Sequence, residues 1–239
     1  MPSHRPLWLR VTLVSVCCGL IVLLIGLGNW QMRRLDWKTA LIEAVETRAY
    51  GVEQPVPVQG FEADTHSYLR VKTYGRLQNE TSLRVKALTE LGAGHWRMTP
   101  LLTAEGVIWI NRGFIPSGLS DDEMFQPSGE VEITGLLRTS EPDGTVLERN
   151  KPAQNRWVSR DVAAMSEASG LSAAGPFFID ADHMGPVTAW PRGGLTILDF
   201  RNSHLSYALT WYALAALLAI AVLWRVKAQV FTQDSEDVA

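Results

Sequence analysis

Two uncharged apolar runs decide what this chain can fold into. Val11–Met32 is 22 residues without a charged side chain, and Leu205–Trp224 is 20 more. At about 1.5 Å per helical residue they reach about 33 and 30 Å, against a hydrocarbon core about 30 Å thick. Each is therefore long enough to cross a bilayer once. Trp8 and Trp30 bracket the first run. Tyr207, Trp211, Tyr212 and Trp224 lie in the second, mostly towards its ends, as aromatic side chains do at a membrane–water boundary.

Two crossings return both termini to one side. The chain of 239 residues then divides into an N-terminal tail (1–10), a first transmembrane helix (11–32), an extramembrane domain (33–204), a second transmembrane helix (205–224) and a C-terminal tail (225–239). The first run is longer than the apolar stretch of a secretory signal, and Trp30 and the basic pair Arg33-Arg34 follow it, so an uncleaved anchor is expected. Charge does not set the orientation. Arg5, Arg10, Arg225 and Lys227 flank the spans on the tail side, and Arg33, Arg34 and Lys38 on the other. The positive-inside bias is weak for loops longer than about 60 residues.

Composition excludes several classes. A net charge of −3, with 46% hydrophobic and 20% charged residues, fits neither a nucleic-acid-binding nor a disordered chain. The two cysteines, Cys17 and Cys18, are adjacent inside an apolar run, and no CxxC occurs. That disfavours a thiol oxidoreductase and a cysteine-based copper carrier. There is no Walker loop, GxGxxG, GxSxG or HExxH, and no nucleophile–base constellation, so no enzymatic activity is expected.

Between the spans, Leu35, Leu41, Ile42 and Val45 recur at helical spacing, so the first helix should run on into water until Gly51 and Pro55-Val56-Pro57 stop it. Strands follow. Residues 68–74 and 83–88 alternate apolar and polar side chains, and 95–102, 107–115, 131–137, 157–159 and 177–179 read as further strands between Gly-, Pro- and Ser-rich turns. Asp161 can cap a short helix to Ala168 that Gly170 ends. The expected fold is a membrane protein: two transmembrane α-helices flanking a β-rich (α+β) extramembrane domain, with a small antiparallel sheet or partly open barrel as its core.

Of the five histidines, His4, His66 and His183 read as surface residues and His95 as packing. His204 differs, because it immediately precedes the second span. On a helix, residues 204, 207, 208 and 211 share a face, with Trp211 about 10 Å deeper than His204. An imidazole above an aromatic stripe at the bilayer edge suits a flat, apolar, metal-bearing ligand such as haem, whose iron takes an axial histidine. An interfacial histidine without a ligand satisfies the same pattern and is the simpler reading of position alone. Arg33 and Arg34 after the first span, and Arg192 and Arg201 before the second, can meet around a carboxylate-bearing ligand or simply snorkel to the interface.

Three motifs carry a family resemblance. Gly28-Asn29-Trp30-Gln31-Met32-Arg33-Arg34-Leu35-Asp36-Trp37-Lys38 resembles the G-x-W-Q-x-x-R-x-x-W-K stretch of the surfeit locus one family. Asn111-Arg112-Gly113-Phe114-Ile115-Pro116 resembles its N-R-G-F-x-P. Gly193-Gly194-Leu195-Thr196 and the run Arg201–Tyr212 resemble its N-x-H-x-x-Y-x-x-T-W entry to the second span. The order and the two-span layout match as well, and only about 120–152 matches loosely.

The resemblance implies a membrane-anchored assembly factor for a haem-copper terminal oxidase, a bacterial member that binds haem a transiently and presents it to the oxidase core subunit. It implies that His204, as axial ligand of the haem iron, and Trp211 take part in haem contact; Tyr207 on the same helix face and Arg201 and Arg33 at the same membrane surface complete the candidate cofactor site. The implied partners are the oxidase core subunit, a haem a synthesis enzyme and membrane lipid. The implied location is the bacterial inner membrane, multi-pass, with cytoplasmic tails and a periplasmic middle domain. The alternative is a scaffold that stabilises an oxidase assembly intermediate without touching haem. Arg112 reads first as structural, supporting a buried carboxylate, and second as a partner contact.

Overall fold

Alternating side chains between the two spans produce strands, and the strands roll up. The computed structural model describes residues 6–142, 144 and 148–236. His4, the first five residues of the N-terminal tail and the last three of the C-terminal tail lie outside the described residues. In chain order the elements are α1 (Leu7–Ala49), β1 (Gln54–Pro55), α2 (Ala63–His66), β2 (Arg70–Leu77), β3 (Leu83–Thr89), β4 (Gly92–Thr103), β5 (Gly106–Pro116), β6 (Glu130–Thr139), α3 (Val162–Ala168), β7 (Ala173–Ala181) and α4 (His204–Glu236). The chain forms two units. One comprises 1–43 with 199–239, and the other comprises 44–198.

In the second unit the hydrogen-bonded order is β1-β2-β6-β7-β5-β4-β3, and β2 also pairs with β4. That extra pairing, Arg76 with Leu102 and Leu77 with Leu101, closes a five-stranded barrel of β2, β6, β7, β5 and β4. The expected small barrel is there, and it is closed. Its pairs are antiparallel except β5–β7, which is parallel and needs the α3 crossover. Residues 157–159 make only an isolated bridge, Val85 with Trp157, in place of a strand.

Period-two alternation sorts the barrel wall into two faces. Val71 and Leu77 of β2, Ile108 and Ile110 of β5, Ile133 and Leu137 of β6, and Phe177 and Ile179 of β7 fill the interior. Outside the wall, Trp109, Phe178, Met98 and Val85 pack with Val162 and Met165 of α3 and with Trp157. The Trp109 indole donates to Ser166 Oγ at 2.9 Å. α3 starts where Asp161 caps it, its carboxylate accepting from Ala164 N at 3.1 Å.

Asp180, on the same outward side of β7, is 7% exposed and has four donors. Its Oδ1 accepts from Asn111 Nδ2 (2.8 Å) and Arg160 Nη1 (3.2 Å), and its Oδ2 from Arg138 Nη1 (2.8 Å) and Thr196 Oγ1 (2.9 Å). Glu141 shares Arg160, whose side chain lies over the Phe178 ring at 4.8 Å. Burial acts to lower the Arg160 pKa, and Asp180 and Glu141 outweigh it, so the net direction is up.

The Asn111–Pro116 motif is built into this arrangement. Asn111 binds Asp180 and also accepts from Gly113 N at 3.1 Å. Gly113 has φ +121°, and a Cβ there would run into the Arg192 carbonyl. Phe114 and Arg192 exchange both backbone hydrogen bonds, at 2.8 and 2.9 Å. Arg112 is 1% exposed and structural, as read first, but among the described residues it meets no carboxylate. It donates instead to Asn79 Oδ1 at 3.1 Å and to the Phe125 carbonyl, tying down the 117–127 loop. Burial, with Arg97 alongside, pushes its pKa down to about 10.

Removing one partner from a buried ion pair strands the other, at about 3–5 kcal/mol. Asp180→Ala should therefore lower the unfolding free energy by about that much, since Arg138 and Arg160 lose their shared carboxylate. Thr196→Val, which deletes one neutral donor, should cost about 1 kcal/mol. Denaturant unfolding of the full-length protein, read by tryptophan fluorescence, measures both. Equal effects from the two variants would contradict the role given to Asp180.

Candidate functional site

The apolar runs become two helices whose side chains largely face outwards. Only 6% of the most apolar window of α1 and 11% of that of α4 are buried within the protein. Both helices are long and apolar enough to cross a membrane. α1 continues without a break beyond Met32, as its periodicity predicts.

Within this unit the helices run antiparallel and touch through small residues. Gly28 of α1 and Ala208 and Ala215 of α4 are buried. A Cβ at Gly28 would run into the Tyr212 ring, so the glycine is what lets that ring lie against the α1 backbone. The Tyr212 hydroxyl donates to Asn29 Oδ1 at 2.7 Å. At the end of the pair beyond the apolar runs, Lys38 Nζ donates to the Arg201 carbonyl at 2.6 Å and Asn202 Nδ2 to Thr39 Oγ1 at 3.3 Å.

His204 is the first residue of α4. Its Nδ1 lies 2.7 Å from Gln31 Oε1. With the amide oxygen facing the ring, Nδ1–H donates and the Nε2 lone pair is left over. Metal-bound histidines are commonly oriented this way, one nitrogen hydrogen-bonded and the other ligating. The ring is half-buried, so Nδ1 is committed while the residue keeps an open side.

The other site residues read from sequence scatter around it. Trp211 is half-buried on α4. Tyr207 is 55% exposed, turned away from the face that carries Ala208 and Ala215. Arg33 and Arg201 are both exposed. Arg34 lies over the Trp37 ring at 4.6 Å. Arg192 belongs to the barrel unit, where its guanidinium stacks on Trp190 at 5.0 Å and donates to the Thr188 carbonyl at 3.2 Å. Gln31, Asn29 and Tyr212 went unnoticed as site residues, although all three lie inside the quoted motifs.

The remaining histidines have local roles. His66 Nδ1 accepts from Glu62 N at 2.9 Å, and His183 Nε2 lies 2.9 Å from the Pro186 carbonyl. Burial, with Arg84 nearby, lowers the His95 pKa. Among the described residues no group of three or more His, Cys, Asp or Glu side chains could hold a metal ion. A metal brought in by a macrocycle with its own nitrogens needs only one axial side chain, which a lone histidine could supply.

Known proteins resemble this chain along most of its length. A model of the SURF1 family matches residues 18–216. The chain is 34% identical to Surfeit locus protein 1 of Homo sapiens over 220 residues, covering 83% of this chain and 72% of that protein. It is 33% identical to the Mus musculus protein of the same name over 219 residues, with coverages of 83% and 70%. For the Takifugu rubripes protein the identity is 32% over 225 residues, with coverages of 84% and 91%.

If Gly28 sets the helix separation, Gly28→Val should overpack the contact at about 1–3 kcal/mol. The expected result is a lower melting temperature of the full-length protein in detergent, while Gly19→Val, with open space around it, stays near wild type. Equal melting of the two variants would refute the close contact.

Proposed function

The chain belongs to the SURF1 family, and from that premise we propose that it is a membrane-anchored assembly factor for a haem-copper terminal oxidase. In this reading it takes haem a as cargo and presents it to the oxidase core subunit, and catalyses no reaction. Its location is the bacterial inner membrane, with both tails in the cytoplasm and the barrel in the periplasm. A haem a synthesis enzyme is a second candidate partner, beside the oxidase core subunit.

One observation carries the haem reading: the contact of His204 Nδ1 with Gln31 Oε1, which commits one ring nitrogen and leaves Nε2 to ligate at the end of an apolar span. The residues present fit the group. His204 supplies the axial nitrogen, and Trp211 supplies aromatic surface to an apolar ring. Arg201 and Arg33, exposed at the same helix ends, suit its propionates through paired N–H donors. Gln31 acts through His204 by fixing the ring and its tautomer. Haem itself, when bound, brings the iron and the redox chemistry the oxidase will use.

The test is the spectrum of full-length protein purified after co-expression with haem a synthesis enzymes. His204→Ala should bind more weakly and shift the Soret band while staying folded and inserted. Trp211→Leu should act more mildly, losing aromatic packing of roughly 0.5–1.5 kcal/mol. Arg201→Ala should fall between them. If His204→Ala carries haem a at wild-type stoichiometry with an unchanged spectrum, the ligand role is lost and the haem-independent scaffold becomes the better reading.

A further inference from the structure

The helix pair has a second end, and it is built differently. The antiparallel register that sets Gln31 against His204 continues down the pair until the helices part around a cleft of about 500 Å³. Leu13, Val14 and Cys17 of α1 and Leu218, Ala221 and Val222 of α4 form its walls. Arg10 and Arg225 line the same cleft at its tail-side end, and among the described residues no acidic side chain does. Arg10 lies 21 residues from Gln31 along one continuous helix, about 31 Å at 1.5 Å per residue. That is the thickness of the hydrocarbon core, so with His204 at one headgroup level the two arginines reach the other.

From this geometry we propose that the cleft is a binding site for a phospholipid with a net negative headgroup. One acyl chain fills the space between the helices, and the phosphate meets Arg10 and Arg225. The apolar walls exclude a soluble anion from the depth of the cleft, and the paired guanidinium groups give the mouth its charge preference. Arginine binds phosphate through two parallel N–H donors, and both arginines sit where a lipid phosphate lies. Trp224, also in the lining, suits the same interfacial depth. All of the cleft residues lie outside the stretch 18–216 that the family model matches, so the site does not follow from family membership. Bound there, the lipid would brace the end of the helix pair that Gly28 does not hold together.

The experiment is native mass spectrometry of the full-length protein in a neutral detergent, titrated with phosphatidylglycerol, phosphatidylcholine or inorganic phosphate. An arginine near an anionic headgroup is worth about fivefold in affinity, so the pair should give about a thirtyfold preference for phosphatidylglycerol over phosphatidylcholine. Inorganic phosphate should not bind. Arg10→Gln/Arg225→Gln should erase the preference and leave phosphatidylcholine binding in place. Val14→Trp, which fills the cleft, should weaken both lipids while the protein keeps its melting cooperativity. Equal binding of the two lipids, or a preference that survives loss of both arginines, overturns the proposal and leaves the arginines as interfacial anchors. So does unaltered lipid binding by Val14→Trp, and so does tight binding of phosphate alone, which would make the site a soluble-anion site. If lipid binds without preference and an oxidase transmembrane helix competes it away, the cleft belongs to a helix and the lipid site is wrong.

Discussion

A buried carboxylate on the outside of the barrel holds the extramembrane unit in one arrangement. Asp180 accepts from β5 through Asn111, from β6 through Arg138, from the start of the α3 crossover through Arg160 and from the segment after β7 through Thr196. A carboxylate 7% exposed is tolerated only because its lone pairs are filled and two guanidinium groups offset its charge. Apolar packing alone would hold these elements with less direction. Hydrogen bonds to a fixed oxygen pair set where each must lie, and that is how a parallel β5–β7 pair is kept in register beside antiparallel neighbours.

Sequence shows best what repeats locally. The apolar runs, the strands β2–β6 and the capped helix α3 were legible because span length, period-two alternation and an Asp–Gly pair are local signals. Barrel closure was not, since β2 meets β4 through two residue pairs only. Nor did Asp180 announce itself. It follows Phe177-Phe178-Ile179 like any polar residue at a strand end, and its partners sit at positions 111, 138, 160 and 196. The Asn111–Pro116 motif was seen but read loosely. Arg112 turned out to bind the Asn79 amide oxygen, from between β2 and β3, and a backbone oxygen of the 117–127 loop, that of Phe125.

The same limit applies in the membrane unit. His204 stood out by position, but the partner that orients it, Gln31, lies 173 residues away. A sequence face of 204, 207, 208 and 211 put Tyr207 beside His204. Tyr207 is 55% exposed on that helix, and it is Tyr212 that lies against Gly28, because ring and glycine fit each other. The pair is polar at both ends and packs closely along Gly28, Ala208 and Ala215. One end offers a nitrogen donor held by an amide, and the other offers two guanidinium groups over an apolar cleft.

In the proposed function, His204, held through Nδ1 by Gln31, gives Nε2 to a haem iron. Pulsed electron paramagnetic resonance on full-length protein labelled with ¹⁵N-histidine and loaded with ferric haem a tests it most directly. The account predicts hyperfine coupling to a single histidine nitrogen ligand, and a changed coupling in Gln31→Leu, where the ring loses its acceptor. An iron with no coupled histidine nitrogen, or a coupling identical in the Gln31 variant, would contradict it.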